Sequence, residues 1–150
     1  MPYLVKDFME KEIVTVEAAT SVTEASKIMK AKNTGYLIVF EKREPAGIVT
    51  DRDLVLKVIA NDKDPSKVAV REIMSTPIIT IDPDVTVEEA IRTMTEHEIR
   101  RLPVGKAGIL YGMFTGRDLA KHLNEYEEKV ANDIIKHMSL FSRLLARGGR

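Results

Sequence analysis

Gly47-Ile-Val-Thr-Asp-Arg-Asp53 and Gly112-Met-Phe-Thr-Gly-Arg-Asp118 share one pattern, Gly-x-x-Thr-x-Arg-Asp, with Asp53 and Asp118 separated by 65 positions (118 − 53). The same offset carries Met9 onto Met74, so residues 5–60 reappear without a gap at residues 70–125. One repetition is too little for a solenoid. It predicts two similar halves packed face to face about a pseudo-two-fold axis.

Working outward from the pattern, each copy reads as strand, helix, strand, strand, helix. Short apolar runs (Ile13 to Val16; Ile78 to Ile81) precede Ser21-Val-Thr-Glu24 and Thr86-Val-Glu-Glu89. Both tetrads have the hydroxyl and carboxylate spacing of a helix capping box. Apolar residues at Val22, Ala25, Ile28 and Met29, and at Val87, Ala90, Ile91 and Met94, extend one face of each helix. Two apolar segments follow, Tyr36 to Phe40 and Ala46 to Thr50, around the polar loop Glu41 to Pro45; in the second copy these are Arg101 to Val104 and Leu110 to Thr115 around Gly105 to Gly108. This is hairpin spacing. Each copy then enters a helix, Asp51 to Ala60 or Gly116 to Leu123, and each begins with a short lead-in, Val5 to Met9 or Val70 to Met74.

The domain reading is therefore unit 1 at 5–60, a polar linker at 61–69, unit 2 at 70–123, and an amphipathic helix and tail at 124–150. The class is α+β. Three short strands and two helices are too few to bury a sheet face alone, so the halves are expected to pair.

Composition narrows the function. Of the 150 residues 44% are apolar, which suffices for a core, and there is no cysteine. Disulfides, thiolate metal sites and cysteine nucleophiles are thereby excluded. The N-terminus has no basic segment followed by an apolar run, and no stretch reaches the roughly 18 apolar residues of a membrane span. The expectation is a cytoplasmic protein without membrane contact. The 23 basic residues balance the 23 acidic ones, which removes any whole-molecule attraction to nucleic acid. His97, His122 and His137 make no local metal pair and read as surface histidines. With no nucleophile elbow, Walker loop or zinc-hydrolase motif, no catalytic residue, catalytic cofactor or metal is expected.

The two Gly-x-x-Thr-x-x-Asp segments, together with Ile99-Arg-Arg-Leu-Pro-Val104, resemble those of a cystathionine-β-synthase (CBS) domain pair, or Bateman module, over roughly residues 5–123. The resemblance implies two CBS units with facing sheets, a further pairing into a homodimer, and clefts that bind an adenine nucleotide: AMP, ADP or ATP, or the related S-adenosylmethionine or NAD. Carried over position by position, one cleft combines Thr50, Arg52 and Asp53 with Ile78, Ile79, Ile99, Arg100, Arg101 and Pro103. The other combines Thr115, Arg117 and Asp118 with Ile13, Val14, Thr34, Gly35 and Tyr36. Chemically, such an aspartate can accept hydrogen bonds from ribose hydroxyls, and arginines can hold phosphate. Thr-x-x-Asp is equally the spacing of a capping box. Because Gly35 and Tyr36 replace Arg100 and Arg101, the second cleft is expected to hold phosphate less well.

Beyond the match, Asn124 to Arg147 reads as one more helix, with Tyr126, Val130, Ile134, Met138, Phe141 and Leu145 as an apolar stripe. It is expected to dock on its own module, across a homodimer, or on a partner. The function expected is a stand-alone regulatory module that senses an adenosine-containing molecule and signals to an enzyme or transporter in another chain. The alternative is a ligand-free dimerisation scaffold. A third reading, nucleic-acid binding around Arg100, Arg101 and Arg117, runs against the zero net charge and would show a steep salt dependence.

Overall fold

A computed structural model describes residues 3–122 and, in the tail, residues 135–139, 142–143 and 146. The chain divides into two compact units, each of mixed helix and strand: residues 13–79, and residues 1–12 with 80–150. Repeat and unit are out of phase. Each unit takes its lead-in segment from the other repeat.

In the 13–79 unit, β1 (Thr15–Glu17) runs parallel to β2 (Tyr36–Glu41), with α1 (Val22–Lys32) as the crossover. Ser21 caps α1 by accepting the Glu24 N–H at 3.2 Å, and Asn33 ends it in the left-handed region at φ 50°. β2 pairs antiparallel with β3 (Glu44–Thr50) in the order β1-β2-β3. The loop is tighter than expected: Lys42 (φ 52°) and Arg43 (φ 65°) alone make the turn. Their left-handed conformation matches the twist of the flanking strands. Apolar residues of α1, β2 and β3 pack with Leu54, Val58, Val70 and Ile73 in one buried core.

β3 passes into α2 (Asp51–Asp53), which continues as a π turn at Leu54–Val58 and a 3-10 turn at Ile59–Asn61. The lead-in Val70–Glu72 is a 3-10 turn, after which Ser75 bridges Ile48 of β3 through paired backbone bonds of 2.9 and 3.2 Å.

The other unit repeats this plan with α3 (Val87–Glu96), β4 (Arg101–Lys106), β5 (Ile109–Thr115) and α4 (Gly116–His122). Thr86 and Glu89 form the complete capping box. Here Glu10 takes the place of Ser75 and bridges Met113 with two bonds of 2.9 Å.

The strand expected at Ile78 to Ile81 is reduced to a single bridge, Ile81 to Val104. Two prolines account for the loss. In the first sheet Ile38 N–H donates to Val14 O and Ala18 N–H to Phe40 O, both at 2.9 Å. At a 65-residue offset those donors become Pro103 and Pro83, which have no N–H. The bonds that need neither proline as donor survive, Ile81 N–H to Pro103 O at 3.0 Å and Gly105 N–H to Ile81 O at 2.8 Å.

The expected helix at 124–147 falls mostly outside the described residues, including Tyr126, Val130, Ile134, Phe141 and Leu145. Residues 135–139, 142–143 and 146 are helical. Among the described residues no helix is long and apolar enough to cross a membrane.

Candidate functional site

Both Thr-x-x-Asp segments sit where the last strand of a hairpin turns into a helix. In the 13–79 unit, Asp53 Oδ2 accepts the Thr50 N–H at 2.9 Å and the Thr50 hydroxyl at 3.1 Å, while Thr50 Oγ1 accepts the Asp53 N–H at 3.3 Å. In the other unit Asp118 Oδ2 accepts the Thr115 N–H at 2.8 Å and hydroxyl at 2.9 Å, and the Asp118 N–H returns to Thr115 Oγ1 at 3.3 Å. The capping-box geometry is real at both corners. It also locks each aspartate rotamer and leaves one oxygen, Oδ1, outside the box.

The two corners differ at that oxygen. Asp53 Oδ1 is paired with the Lys57 ammonium at 3.0 Å, one helical turn on. Lys57 Nζ also donates to the Ile73 carbonyl at 2.8 Å. Asp118 bonds only with Thr115 among the described residues, because the nearby Lys121 is paired with Glu10 at 3.0 Å. Asp118 is 3% exposed. Burial pushes its carboxyl above the ordinary carboxylate value, the Thr115 bonds oppose that shift, and the Glu10 charge adds to it.

The other expected site residues sort by unit. With Thr50, Arg52 and Asp53, the 13–79 unit contains Ile13, Val14, Thr34, Gly35, Tyr36, Ile78 and Ile79. Several of these converge on the corner. Tyr36 lies opposite Thr50 across the β2–β3 pair, and Gly35 O accepts the Asp51 N–H at 3.0 Å. Thr34 Oγ1 accepts the Tyr36 N–H at 3.4 Å, and Val14 O accepts from Ile38. Ile78 and Ile79, half-buried, close the unit's C-terminal end without a strand bond to its sheet. The second unit contains Ile99, Arg100, Arg101 and Pro103 with Thr115, Arg117 and Asp118. Arg101 lies opposite Thr115, Arg100 precedes the strand, and Arg117 is exposed. Backbone pairing brings Gly35 and Tyr36 to the Thr50 corner and Arg101 to the Thr115 corner.

The sequence reading passes over Lys57 at one corner and Glu10 and Lys121 at the other. The signal for Lys57 was present as an acid–base pair at i, i+4 on an expected helix.

The CBS domain family model matches the chain twice, at residues 5–60 and 70–125. The uncharacterized protein MK0525 of Methanopyrus kandleri is 39% identical over 117 residues, which cover 77% of this chain and 60% of that protein. The CBS domain-containing protein YhcV of Bacillus subtilis is 33% identical over 135 residues, 90% of this chain and 94% of that one. Among solved structures, the CBS domain pair of MJ0100, in complex with 5′-methylthioadenosine and S-adenosyl-L-methionine, superposes with a TM-score of 0.74 at 26% identity. That likeness covers 85% of this chain and 100% of the other.

Proposed function

Because this chain belongs to the CBS domain family, we propose that its two threonine–aspartate corners bind an adenosine-containing ligand and that the chain is a regulatory module reporting this ligand to a partner protein. The observation that carries the reading is that Asp118, though buried, has one carboxylate oxygen, Oδ1, with no bonding partner among the described residues. Its carboxylate is held by Thr115 through Oδ2, while Oδ1 keeps its capacity to accept hydroxyl hydrogen bonds. A pair of vicinal ribose hydroxyls supplies that kind of donor, and 5′-methylthioadenosine and S-adenosylmethionine, the molecules bound by MJ0100, both contain it. AMP, ADP, ATP and NAD share it too.

A ligand acts as a signal only to the extent that it binds two states of the protein unequally. The strand-to-helix corner is suited to such a role, since the same carboxylate that would accept the ribose caps the following helix. The output would be an enzyme or transporter in another chain.

A second reading, a ligand-free dimerisation scaffold, draws on different residues. Val55, Leu56 and Ile59, on the helical segment after Asp53, are 55%, 46% and 58% exposed. Exposed apolar side chains grouped on one short segment suit a surface covered by a second copy.

Thermal unfolding with each of AMP, ADP, ATP, S-adenosylmethionine and NAD, on the wild type and on Asp53→Ala and Asp118→Ala, decides between the readings. Ligand at 100 times its Kd adds about 2.7 kcal/mol, or roughly 5–10 °C in Tm. A shift lost in one or both variants supports the sensor. No shift with any ligand, in a chain that self-associates through Val55, Leu56 and Ile59, supports the scaffold.

A further inference from the structure

We infer that Lys57 makes the Asp53 corner selective for anionic ligands, so that the two corners of the chain discriminate between charged and uncharged nucleosides. This rests on the reading of the corners given above and assigns their specificity.

The argument starts from the competition for Asp53 Oδ1. A vicinal diol can use that oxygen fully only where no other group holds it, and here the Lys57 ammonium holds it at 3.0 Å. The Asp53 side chain is 14% exposed and that of Lys57 45%. The carboxylate is therefore shielded from water by its surroundings, and the cation is the more exposed partner. An uncharged nucleoside that displaces the ammonium leaves it with the Ile73 carbonyl, 2.8 Å away, as its remaining protein partner. That carbonyl is a dipole and not a countercharge. A ligand carrying a phosphate or carboxylate returns a countercharge to the ammonium as it takes Asp53, so the exchange of partners is balanced.

At the other corner the position equivalent to Lys57 is His122, and the neighbouring Lys121 is paired with Glu10. Asp118 consequently has no ammonium on it among the described residues. An uncharged nucleoside binds there with no ion pair to break, and an added phosphate brings no matching gain.

The test is a nuclear magnetic resonance titration of the full chain with adenosine and, separately, AMP. Thr50 and Thr115 amides, each donating to its corner aspartate, report the two corners independently. The expected result at Thr50 is tighter binding of AMP than of adenosine by at least tenfold, with the preference reduced at least tenfold in Lys57→Met and retained in Lys57→Arg. The Thr115 preference stays unchanged in both variants. An AMP-to-adenosine ratio at Thr50 that is the same in Lys57→Met as in the wild type overturns the inference while leaving ligand binding intact. Failure of both ligands to move either amide in any variant overturns the corner reading itself, and this inference with it.

Discussion

Gly47 lies directly under the backbone carbonyl of Ser75: a Cβ on Gly47 would stand 2.6 Å from that oxygen and 2.9 Å from the Met74 sulfur. Gly112 bears the same relation to the Glu10 carbonyl and the Met9 sulfur. The first glycine of each repeated pattern is therefore a crossing point for a lead-in segment. The obstructing oxygen belongs to a backbone already paired with β3 or β5, so it has little room to yield.

Gly47→Ala should accordingly destabilise the chain by about 1–3 kcal/mol or more, the cost of overpacking a fixed contact. Gly112→Ala should do the same. Urea unfolding of both variants measures the effect, and a loss under about 0.5 kcal/mol would show that the lead-in segments do not press on these glycines.

Asp118 should give stability a pH dependence of its own. Burial raises its folded pKa above the ordinary aspartate value of 3.8, so the folded chain holds this proton more tightly than the unfolded chain does. Between those two values the folded state binds more protons, and the contribution of Asp118 falls as pH rises through the window and is level on either side. Asp118→Asn keeps an acceptor for Thr115 but cannot ionise. The wild-type minus Asp118→Asn difference in unfolding free energy should decline as pH climbs from below 3.8; a difference that grows with pH would contradict burial as the dominant cause.

Pro83→Ala should restore a sheet bond without much changing stability. The new N–H can donate to Gly105 O as Ala18 donates to Phe40 O. The bond is worth about 0.5–1.5 kcal/mol, and the lost proline rigidity costs about 0.4–1 kcal/mol. Hydrogen exchange should find the residue 83 amide protected; rapid exchange there would mean that something other than the proline keeps the strand short.

Replacing Lys42-Arg43 with Asn-Gly should stabilise the β2–β3 hairpin by about 1 kcal/mol, raising Tm by about 2–4 °C. Both positions are left-handed, at φ 52° and 65°, where side chains other than Asn and Gly are strained. Ligand affinity should not move, since the turn is at the far end of the hairpin from Thr50. Calorimetry settles the point, and an unchanged or lower Tm would show that the turn is not under strain.

Much of the fold was legible because its signals are local. Ser21 and Thr86 announce helix starts through a hydroxyl three residues from a carboxylate, and paired short apolar segments around a polar or glycine-containing loop announce the hairpins. The corners were legible for the same reason, since Thr50 to Asp53 is one turn. What escaped were effects that need two distant segments. The loss of the 78–81 strand depends on Pro103 as well as Pro83, and Pro103 sits in a segment that reads as an ordinary strand. The tie from Lys57 to the Ile73 carbonyl joins residues with no common period.

By itself, then, the amino-acid order determined the repeat, the helix caps, the hairpins and the two threonine–aspartate corners, because each arises from dihedral preferences and side-chain bonds within a few residues. Tertiary structure alone decided that Glu10 crosses Gly112 and Ser75 crosses Gly47, so that each compact unit takes its lead-in from the other repeat. It also decided that Lys57 pairs with one aspartate while Lys121 pairs with Glu10 and not with the other. In a duplicated chain either lead-in has the right local chemistry for either hairpin. Which one docks depends on the packing of whole segments, and no local pattern carries that information.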